Sequence, residues 1–435
     1  AINAGGAHVF ARFARFTEGA EVFVLPSDDE TFDWAPPKEN NYIDKLVFEK
    51  LQKLQIHPST LSSDEDFLRR VTIDLVGTLP NPEEYHDFIN STDPNKRSIV
   101  INELISREDF AELWAAKWGE WLRLKTDTNV GGGFAPKAGW VYFQWLREQL
   151  IEDRPINEIF HELLTSSGSN MRNPPSNFFN MLTQGPKPPH VVGMDVAQVT
   201  LGIRTGCAEC HNHPFDRWTM DDYYGWTSFF TGLKRKRGRE VAENLFSYDV
   251  DAPLAEHLLD GRPMPHKFLG GEAPDVTDQD PRRLLADWLT TSDNELFRRH
   301  MADRVWHHFF GRGITEPIDD VRISNPPSNI PLLEELGRRF AEDHDYKLRD
   351  LARDICNSST YQLSASTNAS NKSDTEFFSH STLRRPRADV LFDCMNQAMG
   401  YTPKIRRSNH TKAVDLFQGG AQDSYNAYFF STFGQ

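Results

Sequence analysis

The sequence lacks several features that would place it in a common class of protein. It contains only four cysteines in 435 residues, too few for a small scaffold held together by disulfides. No apolar run reaches the roughly 20 residues that a membrane-spanning helix needs, so we expect no transmembrane segment. The formal net charge is −15, and this deficit of cations argues against general nucleic-acid binding.

The familiar signatures of catalysis are also missing. There is no Gly-X-Ser-X-Gly elbow, no Walker-type phosphate loop, no dinucleotide fingerprint and no His-Glu-X-X-His motif. Adjacent acids occur at 221–222, 319–320 and 334–335, and we interpret them as solvated faces. A basic run at 234–239 opposes the acidic trend. It could meet an anionic group, but such runs are more often solvated loops.

What the chain does contain is a long series of helical patterns. Thirty Phe and ten Trp supply apolar surface for two or three domains. Two strands at 8–13 and 20–25, joined by a turn at 17–19, precede the helices, and nothing before them has a signal-peptide layout. The fold class is therefore mainly α with a short N-terminal β fragment. Apolar spacing predicts helices from 42, from 64, and at 82–90, 96–106, 107–125, 140–152, 156–164, 194–204, 282–290, 294–309, 330–343, 348–357 and 387–399.

The pattern with the clearest chemistry is Cys207-Ala208-Glu209-Cys210-His211. Two thiols at this spacing can add to the two vinyl groups of one haem, and the next residue can ligate its iron. The same thiols with His211 or His213 could instead bind zinc, with His190 as a further ligand. A thioredoxin-like redox pair or two core cysteines are weaker alternatives. Cys356 and Cys394 are expected to be buried apolar residues.

Residues after the motif could also act on a haem. His213 and Asp216 could contact a propionate or form a proton-transferring pair, and the alternative is a surface loop held by Pro214. A sixth iron ligand could come from five side chains, and His308 is our candidate beside Arg312, which could hold a propionate. The alternative for His308 is a core residue on an aromatic helix. The five are His308, His307, His190, Met194 and Met301.

Two stretches of the chain resemble a known pair of domains. Segments 67–80, 114–118, 198–202 and 207–216 resemble the planctomycete-type cytochrome domain of unknown function. Segments 284–289, 304–313, 325–328 and 358–362 resemble its C-terminal companion domain. In that pattern the histidine before Phe-Phe-Gly-Arg-Gly maps to His308, which is why His308 is preferred over His307. The opening strands are similar to the end of a bacterial Ig-like domain.

The resemblance implies a division of the chain into parts. It implies an Ig-like end at 1–26, a linker at 27–41, a multi-helix cytochrome-like domain at 42–233, an irregular connection at 234–280 and a second helical domain at 281–435. The companion domain normally continues further, so we expect the chain to be truncated there. An exported protein, periplasmic or at the cell surface, is also implied.

Three hypotheses about function follow. The first is a protein with one covalent haem c that transfers electrons to a redox partner protein or a small carrier. The second is a haem enzyme that acts on a small molecule at an open sixth position, and a choice between these two depends on the second axial ligand. The third is a zinc-stabilised cell-surface scaffold with no redox role. The sequence leaves the oligomeric state open.

Overall fold

The computed structural model describes most of the chain. The described residues are 5–13, 16–25, 32–124, 135–182, 188–240, 243–277, 279–402, 412–413, 429–430 and 432–433. Every structural statement below concerns these residues.

The architecture is mainly α, as the sequence predicted. Sixteen α-helices are present in the described ranges. They are α1 (Tyr42–Lys53), α2 (Asp64–Val76), α3 (Pro82–Asn90), α4 (Lys96–Ser106), α5 (Glu108–Trp121), α6 (Ala135–Ile151), α7 (Ile156–Thr165), α8 (Asn177–Leu182), α9 (Pro189–Leu201), α10 (Met220–Thr227), α11 (Pro281–Thr290), α12 (Glu295–Phe310), α13 (Ile330–Glu342), α14 (Leu348–Asn357), α15 (Ser359–Gln362) and α16 (Ala388–Ala398). Helices α8, α10 and α15 were not predicted, and α9 begins five residues before the predicted start.

Local sequence explains where many helices begin and end. The Ser63 hydroxyl accepts the N–H of Asp66 at 3.2 Å, and Asn81 caps α3 in the same way, so both predicted starts are confirmed. Gly77 and Gly311 end α2 and α12 with φ of 70° and 74°, a left-handed conformation that glycine adopts without a steric penalty. The predicted end of this helix at 309 is one residue short of the observed end of α12.

The N-terminal strands form a longer hairpin than expected. Strand β1 (Gly5–Phe13) pairs antiparallel with β2 (Phe16–Val24) down to the pair Phe13–Phe16. The turn predicted at 17–19 is wrong, because these residues lie inside β2 and Gly19 pairs with Phe10. A Cβ on Gly19 would lie 2.8 Å from the Phe10 ring, so this glycine makes room for an aromatic neighbour rather than a turn.

The connection at 234–280, which was expected to be irregular, contains most of one strand and all of another. Strands β3 (Gly168–Ser169), β4 (Leu233–Arg237) and β5 (Asn244–Tyr248) form an antiparallel sheet in the order β3-β5-β4. The basic run therefore begins on an edge strand and not in a loop. The strand was not predicted because charged side chains occupy both faces of β4, so the apolar–polar alternation typical of a strand is absent.

The two helical segments share one core. Buried apolar residues from both sides of the 234–280 connection form a single cluster. Helix α11 packs against α7, α14 against α4 and α12 against α9. Cys356 and Cys394 are buried free thiols within the second segment, as predicted.

Candidate functional site

The Cys-X-X-Cys-His motif lies on a short turn after α9. Helix α9 ends at Gly202, whose φ of 69° turns the chain away from the helix axis. A 3₁₀ turn at Gly206–Glu209 follows and carries Cys207, with Cys210 and His211 directly after it. The motif thus sits where a packed helix gives way to the surface.

The groups that the motif offers are accessible. Cys207 and Cys210 are exposed free thiols, and His211 is exposed as well. The Nδ1 of His211 lies 2.8 Å from the carbonyl oxygen of Asn212. Because a carbonyl can only accept, Nδ1 carries the proton and Nε2 keeps its lone pair in the neutral ring. A backbone bond of this kind fixes the tautomer and orientation of a metal-binding imidazole.

Hydrogen bonds join helix α10 to the turn that carries the motif. The hydroxyl of Tyr224 donates to the Glu209 carbonyl at 2.9 Å, and the amide side chain of Asn212 accepts the N–H of Met220 at 3.1 Å. Trp226 is buried and donates through Nε1 to the Gly193 carbonyl on α9 at 2.8 Å. The aromatic residues of α10 are thus core residues, and Trp226 joins α10 to α9.

His213 and Asp216 are structural parts of the following turn. Both are buried. The Nδ1 of His213 accepts the N–H of Phe215 at 3.2 Å, and the Asp216 carboxylate accepts the N–H of Arg217 at 2.8 Å. The ring of Phe215, between them, is exposed to solvent. The arrangement matches the alternative of a turn held by local hydrogen bonds.

Burial opposes charge on both of these side chains. Desolvation lowers the pKa of His213, and the neighbouring Asp216 carboxylate counteracts this only in part. Desolvation likewise raises the pKa of Asp216, against the hydrogen bond from the Arg217 backbone. A neutral His213 is therefore favoured in the folded protein.

A loop of the second segment closes over this region. The N–H of Val321 donates to the Gly202 carbonyl at 2.9 Å, and the hydroxyl of Ser324 donates to the Phe215 carbonyl at 3.0 Å. Asp319 accepts from Arg204 at 2.6 Å. The loop from 319 to 324 therefore positions the motif from a distant part of the chain, and our sequence reasoning did not identify it.

His308 is not brought to the motif. Its Nε2 donates to the Asp74 carbonyl at 2.6 Å, and its ring packs 4.5 Å from the centroid of Trp114. The His308 Nδ1 is buried without a partner in the described residues. On α12, the residue that packs near Gly202 is His300, and His308 lies about 12 Å further along the helix axis. In the structure His308 is a core residue beside Asp74, and its assignment as an iron ligand stays a prediction.

Arg312 also lies apart from the motif. It follows α12, beyond His308, and its guanidinium donates to the Thr375 carbonyl at 2.6 Å. The neighbouring Arg384 bonds both the His308 carbonyl and the Asp74 carboxylate, the latter at 2.6 Å. The residues around His308 thus build a polar contact between the two segments and do not line the cysteine turn.

Two other candidate ligands do lie beside the motif. The Sδ of Met194 is 3.4 Å from the position of a Cβ on Gly206, and Nε2 of His190 is 3.6 Å from a carboxylate oxygen of Glu209. Both side chains come from one face of α9, four residues apart. Within the described ranges, no group of three His, Cys, Asp or Glu side chains is arranged to hold a metal ion.

Fold and site together define a mainly helical protein that presents an exposed Cys-X-X-Cys-His turn between two packed segments. Residues 42–235 match the family described as PSCyt2, protein of unknown function (DUF1549). Residues 281–422 match the family described as PSD1, protein of unknown function (DUF1553). These matches indicate two domains of unknown function, and each match covers less than half of the chain. No curated protein and no solved structure matches it. In the described residues, no helix is both long and apolar enough to cross a membrane.

Proposed function

We propose that this protein carries one covalent haem c at Cys207, Cys210 and His211 and transfers electrons outside the cytoplasm. The observation that carries the proposal is the state of the motif: two exposed free thiols beside an exposed imidazole whose Nδ1 bonds the Asn212 carbonyl, which leaves the lone pair on Nε2. These are the groups that thioether attachment and proximal ligation require. When bound, the haem would supply one-electron exchange between ferrous and ferric iron.

The protein's own residues would hold and orient the haem. Cys207 and Cys210 would form the thioether bonds, and His211 would be presented to the iron with its ring fixed by the Asn212 carbonyl. We propose that Met194 or His190 of α9 would be the further protein ligand of the iron, because both side chains lie beside the motif. An accessible motif suits a redox partner protein or a small carrier, because electrons pass through an exposed haem edge.

Electron transfer fits the site better than catalysis on a small molecule. A proton-transferring pair should be accessible, whereas His213 and Asp216 are buried and bonded within their own turn. The exported location is part of the same proposal, because c-type haem is attached outside the cytoplasm. The opening hairpin as the end of an Ig-like domain likewise remains a proposal.

The test is a reduced-minus-oxidised absorption spectrum of protein matured in a host that attaches haem c. We expect sharp reduced bands that survive denaturation, and loss of the pigment in Cys207→Ala/Cys210→Ala. Cys394→Ala removes a buried thiol elsewhere and should leave the spectrum unchanged. A colourless protein would contradict the proposal, and stoichiometric zinc in that colourless protein would favour the scaffold hypothesis.

Carbon monoxide added to the reduced protein reports the second axial position. If α9 supplies that ligand, either Met194→Leu or His190→Gln should make the iron bind carbon monoxide more readily and shift its reduction potential. His308→Gln should change neither property. An effect confined to His308→Gln would contradict the assignment to α9 without affecting haem attachment itself.

A further inference from the structure

The edge strand β4 carries an unusual concentration of positive charge. Its last four residues are Lys234, Arg235, Lys236 and Arg237, and all four side chains are exposed. Arg239 follows and is exposed too. The chain has a net charge of −15, so this run is a local region of positive potential on an otherwise acidic protein.

The neighbouring strand does not neutralise this charge. Lys234, Lys236 and Arg237 each face a residue without charge on β5, so none of these three forms an ion pair with the residue opposite it. The pairs are Lys234–Ser247, Arg235–Phe246, Lys236–Leu245 and Arg237–Asn244.

The carboxylates near the basic run are either distant from its cations or bonded to other residues. Asp249 reaches only 3.9 Å from the amine of Lys234, at the far end of the run. Glu243 accepts from the Ser169 hydroxyl at 2.6 Å and from the backbone N–H of Arg239 at 2.9 Å. Glu240 pairs with Arg172 at 3.0 Å. Lys236 and Arg237 therefore form no ion pair with any described residue.

The backbone of β4 offers a second recognition feature. The sheet order β3-β5-β4 leaves the outer edge of β4 without a strand partner in the described parts of the chain. Such an edge presents N–H and C=O groups that can pair with another extended chain. One surface thus combines backbone pairing groups with four consecutive cations.

We propose that the outer edge of β4 binds an acidic, extended segment of a partner polypeptide by strand addition. Only a polypeptide has alternating N–H and C=O groups to match the edge, and carboxylates on it would match the cations. A nucleic acid or an anionic polysaccharide offers the charge without the backbone pairing. The same cations disfavour pairing with β4 of a second copy, because like charges would oppose one another.

The test measures binding of a labelled peptide of alternating Glu and Thr, about seven residues long, to the full chain by fluorescence anisotropy. We expect saturable binding that weakens as salt is added. The same peptide with alternate backbone nitrogens methylated keeps its charge but loses edge pairing, and it should not bind. Hydrogen exchange of the wild-type protein should show added protection of β4 amides when the unmodified peptide is present.

Variants separate local charge from net charge. Lys236→Glu/Arg237→Glu should weaken binding by at least about tenfold. Lys45→Glu/Lys53→Glu makes the same change in net charge on exposed positions of α1 and should bind normally. Lys236→Arg/Arg237→Lys should retain binding.

Several results would overturn the proposal. They are absence of peptide binding, equal binding of the methylated peptide, equal weakening by the α1 variant, and tighter binding of a DNA oligonucleotide or heparin than of the peptide. None of these depends on haem, so this proposal and the haem proposal can fail separately.

Discussion

Gly202 shows how a single residue sets the position of the cysteine turn. It ends α9 with a φ of 69°, and its carbonyl accepts the N–H of Val321. A Cβ at this position would lie 2.6 Å from Nδ1 of His300 and 2.8 Å from a methyl of Val321. The missing side chain therefore permits both the left-handed turn and the close approach of the second segment.

Gly202→Ala should lower the free energy of unfolding by about 3 kcal/mol. Roughly 1–2 kcal/mol comes from the left-handed conformation and the rest from overpacking against His300. Urea unfolding followed by circular dichroism measures the loss. Gly261→Ala is the matched control, because Gly261 has the same φ of 69° but open space around it. If the two variants lose equal stability, the close contact of a Cβ at position 202 with His300 and Val321 adds nothing to the loss.

At the scale of elements, α12 carries three histidines that the fold keeps neutral. Burial lowers the pKa of His300 and His308 well below the usual value. Burial, reinforced by Lys117, Arg304 and Arg384, lowers the pKa of His307 to about 4. Paired histidines suggested ligands in the sequence, but here they pack a helix that contacts both segments.

These histidines should make the protein less stable in acid. Their pKa in the unfolded chain is about 6.5, so below that pH the unfolded state binds protons that the folded state excludes. The contribution is complete above about pH 6.5 and is lost as the pH falls towards the folded pKa, about 4 for His307.

His307→Gln should flatten this dependence by up to about 2 kcal/mol between pH 7 and pH 5. Urea unfolding at the two pH values measures the change in the free energy of unfolding. The variant is compared with the wild type at each pH, because carboxyl groups titrate in the same range. His86→Gln, at an exposed position of α3, is the control and should leave the slope unchanged. Identical slopes for His307→Gln and the wild type would contradict the expected role.

At the scale of the whole molecule, the two segments are joined by buried polar contacts as well as by apolar packing. Asp44 on α1 is fully buried, and its carboxylate accepts the N–H of Ser359 at 2.9 Å and the N–H and hydroxyl of Thr360 at 2.7 and 2.8 Å. A buried carboxylate is tolerated only when such donors surround it. The two helical segments are therefore expected to unfold as one unit.

Calorimetry should show a single unfolding transition whose van't Hoff and calorimetric enthalpies agree. Asp44→Ala should lower that transition, at a loss of about 3 kcal/mol or more, because several buried donors lose their acceptor. Asp66→Ala, which removes an exposed carboxylate on α2, should cost little. Two separate transitions in the wild type would contradict the shared core.

The sequence by itself determined most of the helices and the reactive groups of the motif. Caps such as Ser63, glycine ends such as Gly311 and the apolar spacing of α4 and α14 are local signals, so their helices were predicted closely. The reactive groups at Cys207, Cys210 and His211 follow from residue type and spacing alone.

Only the tertiary structure decided which residues surround that motif. It placed Met194 and His190 beside the turn, moved His308 into the core next to Asp74, and brought Ser324 over Phe215. It also showed that the basic run forms an exposed strand edge. These outcomes depend on contacts between residues far apart in the chain, such as the 109 positions that separate Ser324 from Phe215. Local periodicity and capping carry no information about such contacts.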